Sequence, residues 1–336
     1  MKLRDIGEFG FIEKISHGCL IRPDNIVKAI GDDAAAFTTE PNQITLVTTD
    51  LLVERIHFLR EATSGFNLGY KSLAVNLSDI AAMGGTAREA FVSIAIPRDC
   101  NIDFLDDIYQ GMKSLAREYK VNILGGDTTR SSVDLIINVV VTGFVSKSEI
   151  LFRDKARPGD VIFSTGCLGD SRAGLHLVLN DIEVASKKHR KLFEAHILPK
   201  PCLREGRFLA SKKIVSAAID VSDGLSSDLG HIVKQSGVGA KIYAEKIPLS
   251  QNLKHFCGQY DFDPIEFALA GGEDYTLLIT VAADAATQIS REYQKKFNEP
   301  LFAIGEITDT GSIELINPEG TSKEVIPAGW DHFKSE

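Results

Sequence analysis

The chain is 336 residues long, 44% hydrophobic and 25% charged, a balance that excludes a wholly disordered or fibrous protein. Its formal net charge of −9 disfavours a general nucleic-acid binder, since such proteins are usually basic. The length suits two domains.

Met1 to Glu13 carries Asp5, Glu8 and Glu13 and lacks the apolar stretch of a signal peptide. The first strand signal, Ile44 to Val47, runs into Thr48-Thr49-Asp50. Leu73, Leu77, Ile80 and Ala81 follow at helical spacing, and Ala90 to Ile96 reads as a strand closed by Pro97. Ile108, Met112, Leu115 and Ala116 mark a second helix. Val121 to Leu124 then runs into Gly125-Gly126-Asp127, and Leu135 to Val145 is the longest strand candidate. It is the longest apolar run too, and Asn138, Thr142 and Gly143 interrupt it, so no membrane span is expected.

A turn at Arg157-Pro158-Gly159-Asp160 opens a second unit. Strands are predicted over Val161 to Ser164, Ala217 to Val221 and Tyr275 to Val281, with helices over Ser171 to Leu179 and Leu203 to Ser211. A further helix shows Leu225, Leu229, Ile232 and Val233 on one face, with Gly237 as its stop. The segment Ile182 to Ile197 reads as a solvated helix and its loop. Strands mixed with helices give an α/β or α+β chain. The predicted domains are 1–150 and 151–336. The five cysteines are widely spaced with no CxxC pair, as expected for reduced thiols in a cytoplasmic protein.

Aspartates recur where apolar runs stop: Asp32-Asp33 after Gly31, then Asp50, Asp127, Asp220 and Asp223. Taken singly, each is ordinary turn chemistry, and Ser222 or Asp223 could cap the helix from Leu225. Asp79 instead shares a polar helix face with Ser72 and Asn76, a stripe that lines a cleft or faces solvent. Strand ends in α/β folds converge on one edge where ligands bind. Carboxylates crowded there repel one another unless cations neutralise them. Hard oxygen ligands suit Mg²⁺, so metal-assisted phosphoryl transfer from a nucleotide is the chemistry this pattern favours.

The familiar nucleotide motifs are missing: no GxxxxGK[ST], no GxGxxG after a strand, no HRD or DFG set. Gly166-Cys167-Leu168-Gly169-Asp170-Ser171 could receive a phosphate on its amides or be a plain left-handed turn. There is no GxSxG elbow and no HExxH, and the eight histidines are scattered. His57 stands out for following Asp50 closely.

The ordered set Gly31-Asp32-Asp33-Ala34-Ala35, Thr48-Thr49-Asp50, Asn76-Leu77-Ser78-Asp79-Ile80-Ala81-Ala82-Met83-Gly84-Gly85, Gly125-Gly126-Asp127-Thr128, Asp220-Val221-Ser222-Asp223-Gly224-Leu225 and Gly271-Gly272-Glu273-Asp274-Tyr275 resembles the thiamine-monophosphate kinase family. That family belongs to the aminoimidazole-ribonucleotide-synthetase-like superfamily, and the likeness runs from Gly7-Glu8-Phe9 to Gly329-Trp330. The resemblance implies a two-domain architecture in which the N-terminal sheet pairs across a homodimer and the C-terminal domain is an α/β layered unit. It implies transfer of the γ-phosphate of ATP to thiamine monophosphate, directly and in line, with several Mg²⁺ ions and the active site between the domains. By position, Asp32, Thr48, Thr49, Asp50, Asp79, Asp127, Asp220 and Asp223 would be metal ligands. Tyr109, Gly126, Asp127, Arg153 and Ser222 would contact ATP, and His57, Glu273 and Trp330 the thiamine phosphate. No covalent nucleophile, nucleic acid or membrane is implied.

Two rivals remain at this point. One is another enzyme of the superfamily, such as a hydrogenase maturation protein or a selenophosphate synthetase. Gly271-Gly272-Glu273-Asp274-Tyr275 together with His57-Phe58 argues against the former, and the lack of a lysine-bearing glycine loop after Cys19 against the latter. The other is a non-catalytic nucleotide-binding dimer, which would be expected to lose these carboxylates.

Overall fold

The computed structural model describes residues 14–28, 36–39, 43–184 and 186–326. The chain divides into two compact units, Met1–Ile80 with Gly85–Lys147, and Ala81–Gly84 with Ser148–Glu336.

In the first unit, β1 (Ile26–Lys28) and β2 (Ala36–Phe37) form a small antiparallel pair. The main sheet has β3 (Gln43–Val53), β4 (Thr86–Ile96), β5 (Asn122–Arg130) and β6 (Ile136–Ser146), in the order β3-β6-β4-β5. Only β4 and β5 are parallel. Successive side chains of a strand face opposite sides of a sheet. Leu46 and Leu52 of β3 are therefore buried on one side, while Val47 and Leu51 lie open on the other at 66% and 51% exposure. Helix α1 (Gly65–Ala82) covers the buried side. Helix α2 (Ile102–Tyr119) crosses it closely and buries Ile108, Met112, Leu115 and Ala116.

Two strands run further than their turn-like residues suggest. Strand β3 passes through Thr48-Thr49-Asp50 without stopping, paired with β6 along its whole length. Strand β5 passes through Gly125-Gly126-Asp127, after a register shift against β4. Gly126 makes that possible: it has φ +149, and a Cβ on it would stand 1.7 Å from the Val92 carbonyl oxygen. Asp50 and Asp127 are thus strand-interior residues, not strand ends.

The second unit has a seven-stranded sheet. Its strands are β7 (Asp160–Ser164), β8 (Val215–Asp220), β9 (Gly239–Tyr243), β10 (Leu277–Ala282), β11 (Phe302–Thr308), β12 (Ile313–Ile316) and β13 (Ser322–Glu324). The order is β13-β12-β9-β11-β7-β10-β8, antiparallel apart from β9 and β12. The helices are α3 (Asp170–Leu179), α4 (Lys187–Ile197), α5 (Leu203–Ser211), α6 (Leu225–Ser236), α7 (Gln251–Tyr260), α8 (Pro264–Ala270) and α9 (Ala283–Phe297). The main core joins Ile162, Ile219 and Leu278 of the sheet to Leu225, Leu229 and Ile232 of α6. Gly237 stops α6 in the left-handed conformation. A second cluster joins α3, α4, α7 and α8 through Leu177, Leu192, Phe256 and Phe267. Helix α4 is therefore not simply solvated: Leu192, His196 and Ile197 are buried on one side of it.

All five cysteines are free thiols. Among the described residues, no helix is long and apolar enough to cross a membrane.

Candidate functional site

In the first unit, Thr48 and Asp50 share one face of β3, two residues and so about 7 Å apart along the strand. The Thr48 hydroxyl donates to the Asp79 carboxylate on α1, and Asp50 stands on the same face of the strand. The rest of the Asp79 stripe is neither cleft lining nor solvent-facing. Ser72 donates to the Leu68 carbonyl, Asn76 donates to the Ser72 carbonyl, and both side chains are buried. The Oδ1 of Asn76, one turn from Asp79, is buried with no hydrogen-bond partner. Thr49 points the other way, toward the open face, where its hydroxyl accepts from Asn138 at 2.9 Å. Asp127 is exposed on the edge strand β5.

His57 follows in the turn after β3. Its Nδ1 accepts from the Val53 N–H at 3.0 Å. That bond leaves the ring proton on Nε2, so the outer nitrogen is a donor in the neutral ring. Tyr109 is only 3% exposed on α2, with the Lys113 ammonium 5.9 Å from its ring. Burial, with Cys19 nearby, holds the Tyr109 phenol above its usual range.

In the second unit, three loops meet at one edge of the sheet. Strands β7 and β8 end there, and β10, antiparallel to both, begins beside them. Strand β8 ends on Asp220, only 2% exposed, and the loop after it carries Ser222 and Asp223. Neither Ser222 nor Asp223 caps α6. Gly224 occupies the cap position without a side-chain bond. Asp228 reaches back from inside the helix and accepts from the Asp223 and Gly224 amides, both at 3.0 Å. Burial, with the charges of Asp220 and Asp223, pushes the Asp228 carboxyl up to about 8.

The loop before β10 carries Glu273 and is laced to the loop after β8. The Glu273 amide donates to the Ser222 carbonyl at 2.7 Å and the Tyr275 amide to the Val221 carbonyl at 2.9 Å. Asp274 turns to the third loop, before α3, accepting from the Gly169 amide at 2.7 Å and the Ser171 amide at 3.3 Å. The left-handed turn at Gly169 is the form this loop takes, with φ +86, and the acceptor on its amides is the Asp274 carboxyl group. Burial, reinforced by Asp170 and Glu273, pushes the Asp274 carboxyl up to about 8 against the pull of the two amides. Arg153 is exposed, and its carbonyl accepts from Ser236 at 3.1 Å.

The structure thus groups Thr48, Asp50 and Asp79 in one unit and Asp220, Ser222, Asp223 and Glu273 in the other. Asp32 and Trp330 lie outside the described residues. Among the described residues, no three His, Cys, Asp or Glu side chains stand close enough to form a metal cage by themselves. Three residues of this region carried no signal that composition or spacing could single out. Asp228 sits in an amphipathic helix pattern, Asp274 stands beside the more conspicuous Glu273, and His196 is far from both in sequence.

Family models describe the chain along most of its length. That of the AIR synthase related protein, N-terminal domain, matches residues 31–145, and that of the C-terminal domain matches residues 157–317. A thiamine-monophosphate kinase of Aquifex aeolicus (strain VF5) is 36% identical, covering 99% of this chain and 100% of that protein. The solved thiamine-monophosphate kinase of Stenotrophomonas maltophilia K279a is 34% identical with a TM-score of 0.83, covering 92% of this chain and 96% of that one. A solved AaThiL complexed with AMPPCP and TMP is 34% identical with a TM-score of 0.78, covering 99% of each chain. The two-domain mixed α/β architecture is shared with these structures, and the chain belongs to the thiamine-monophosphate kinase family of AIR synthase related proteins.

Proposed function

We propose that this chain is an ATP:thiamine-monophosphate phosphotransferase that moves the γ-phosphoryl group of ATP directly onto the phosphate of thiamine monophosphate, yielding thiamine diphosphate and ADP. The observation that carries this reading is the retention of every acidic motif in a full-length relative of kinases, with Thr48 bonded to Asp79 in one unit and Asp220, Asp223 and Glu273 at one sheet edge in the other. The bound pair in the AaThiL structure, AMPPCP and TMP, matches one donor and one acceptor.

The residues fit Mg²⁺. Carboxylates and a threonine hydroxyl are hard oxygen donors, and Mg²⁺ binds through one or two carboxylates plus substrate phosphates rather than a closed protein cage. The buried, unpartnered Oδ1 of Asn76 beside Asp79 is a further oxygen with unmet demand. Asp32, Thr48, Asp50, Asp79, Asp127, Asp220 and Asp223 would hold the ions. Thr49 belongs to the set implied by resemblance, although its hydroxyl faces the opposite side of the sheet. Bound there, Mg²⁺ supplies charge neutralisation between two phosphates that otherwise repel.

The chain's own residues bind and orient. By the family resemblance, Gly126, Asp127, Arg153 and Ser222 would contact ATP, Arg153 offering planar donors for phosphate. Tyr109 enters this group through the resemblance alone, its ring being buried in α2. His57 presents Nε2–H, a donor suited to the acceptor phosphate. Glu273 offers a carboxylate to the cationic thiazolium, and Trp330 a ring on which it can stack. No side chain forms a covalent intermediate, so positioning and electrostatics supply the acceleration in an in-line displacement.

The homodimer belongs to the same proposal. Support comes from the open face of the first unit's sheet, where Val47 and Leu51 stand exposed on the edge strand β3 beside half-buried Val140 and Phe144.

The test is ADP release by the purified protein with Mg²⁺ and ATP. We expect release that depends on thiamine monophosphate, with thiamine diphosphate formed in equal amount. ATP binding with no acceptor-dependent ADP would overturn the reading in favour of a binding protein.

A further inference from the structure

We propose that His196 is a positioning residue for the phosphoryl acceptor, holding the Glu273 carboxylate toward the acceptor's cationic ring, and that α4 serves to deliver it; this rests on the reading of Glu273 as an acceptor contact.

Glu273 is a non-glycine residue at φ +63, in the left-handed region. That backbone costs on the order of 1 kcal/mol and persists only where the surroundings fix it. Here its amide is tied to the Ser222 carbonyl. Its side chain is tied as well: Oε2 lies 3.1 Å from the Nδ1 of His196. The same nitrogen lies 3.1 Å from the Ser171 hydroxyl oxygen. An ionised carboxylate only accepts, so the contact is attractive when Nδ1 carries the proton. The serine hydroxyl can orient to suit either partner. The His196 side chain is 8% exposed, whereas the Glu273 side chain is 28% exposed. The carboxylate is therefore held from behind and still reachable by a ligand.

The approach of α4 that places His196 depends on a glycine. A Cβ on Gly174 of α3 would lie 2.2 Å from the Leu192 carbonyl oxygen and 2.7 Å from the His196 Cβ. Glycine at that position lets the two helices close until His196 meets Ser171. Asp274 already ties the same loop to the first turn of α3 through two amides. Glu273 and Asp274 are thus fixed to one helix start by different means. Asp274 secures the loop, and the His196–Ser171 pair aims the neighbouring carboxylate.

Steady-state kinetics on the intact enzyme test this, varying thiamine monophosphate at saturating ATP and the reverse. His196→Leu is expected to raise KM for thiamine monophosphate about tenfold, the scale of one hydrogen bond to a charged group, with KM for ATP unchanged. His196→Asn places an amide N–H near the Nδ1 position and is expected to recover most of the loss. In a Glu273→Gln background, which itself raises KM for the acceptor, His196→Leu is expected to add little. Full additivity with Glu273→Gln, equal shifts in both KM values, or unchanged kinetics in His196→Leu overturns the role of His196. An unchanged KM in Glu273→Gln alone overturns the reading of Glu273 instead. Should His196→Leu fail to fold, Ser171→Ala decides: a rise in acceptor KM that vanishes in the Glu273→Gln background supports the proposal, and no rise overturns it.

Discussion

At the scale of single residues, the aspartates separate charge from shape. Asp50 sits within β3, where its backbone pairs with β6 whatever its side chain carries. Asp50→Asn keeps volume and ladder and removes the charge. Asp127→Asn does the same on exposed β5. Each variant is expected to lose on the order of 10²-fold or more in turnover. Unfolding midpoints should stay within about 0.5 kcal/mol of the parent, as for substitutions that leave packing alone. Near-normal ADP release from both would sink the proposed metal ligands. Asp274 makes a different prediction. Its folded carboxyl titrates near 8, above the ordinary 3.8, because burial disfavours the charge. Between about pH 4 and 8 the folded chain therefore holds a proton that the unfolded chain has released. Stability from this residue is full at the acid end and falls as pH rises through that window, by at most about 1.4 kcal/mol per pH unit. Urea unfolding of Asp274→Asn, compared with the parent at about pH 5 and pH 8, should show a flatter dependence. A steeper one would contradict the assignment.

At the scale of elements, Gly126 is the most exposed to test. Its φ of +149 and the 1.7 Å approach to the Val92 carbonyl leave no room for a methyl group. Gly126→Ala should shift β5 from β4 and cost about 1–3 kcal/mol, the range for overpacking, read as a lower urea midpoint. A midpoint equal to the parent's would show that the strand adapts. The same glycine shows where sequence patterning stops. Apolar periodicity locates α1, α2, α5 and α6 and most strands, because burial of one face is a local, repeating demand. It truncates β3 at Val47 and β5 at Leu124, because Thr-Thr-Asp and Gly-Gly-Asp also make turns. Only pairing with β6 and β4 decides that the strand continues. For the candidate site, Asp50, Asp79, Asp127, Asp220, Asp223 and Glu273 are legible as residues, but not their grouping. Which face of β3 carries Thr49 follows from the pleat once the strand is known to run on. Asp228 replaces Ser222 or Asp223 at the start of α6, a choice made by the fold of one loop. His196 reaches Glu273 only because α3 and α4 close on Gly174, a tertiary event with no counterpart in either helix alone.

At the scale of the whole molecule, the net charge of −9 acquires a partial location. Part of it lies in the carboxylates that the proposed function assigns to phosphates and their counter-ions. Among the described residues, strand β3 is an eleven-residue edge strand with no strand paired on one side. Such edges recruit partners unless charge, proline or a covering element blocks them. Here the outward face carries Thr45, Val47, Thr49 and Leu51, with no charge among them. In β6 alongside, Val140 extends the apolar surface, while the Arg88 guanidinium lies 4.6 Å from the centroid of the Phe144 ring. An uncharged edge beside an apolar face is what self-association uses. Sedimentation velocity of the purified protein should therefore give a dimer. Val47→Asp places a carboxylate on that face, where burying it unpaired in an interface costs several kcal/mol, on the order of 10²-fold or more in the dimer constant. The variant should sediment as a monomer, with its circular dichroism retained because residue 47 is 66% exposed within the single chain. A parent that sediments as a monomer, or a Val47→Asp variant as dimeric as the parent, would remove this face from the interface.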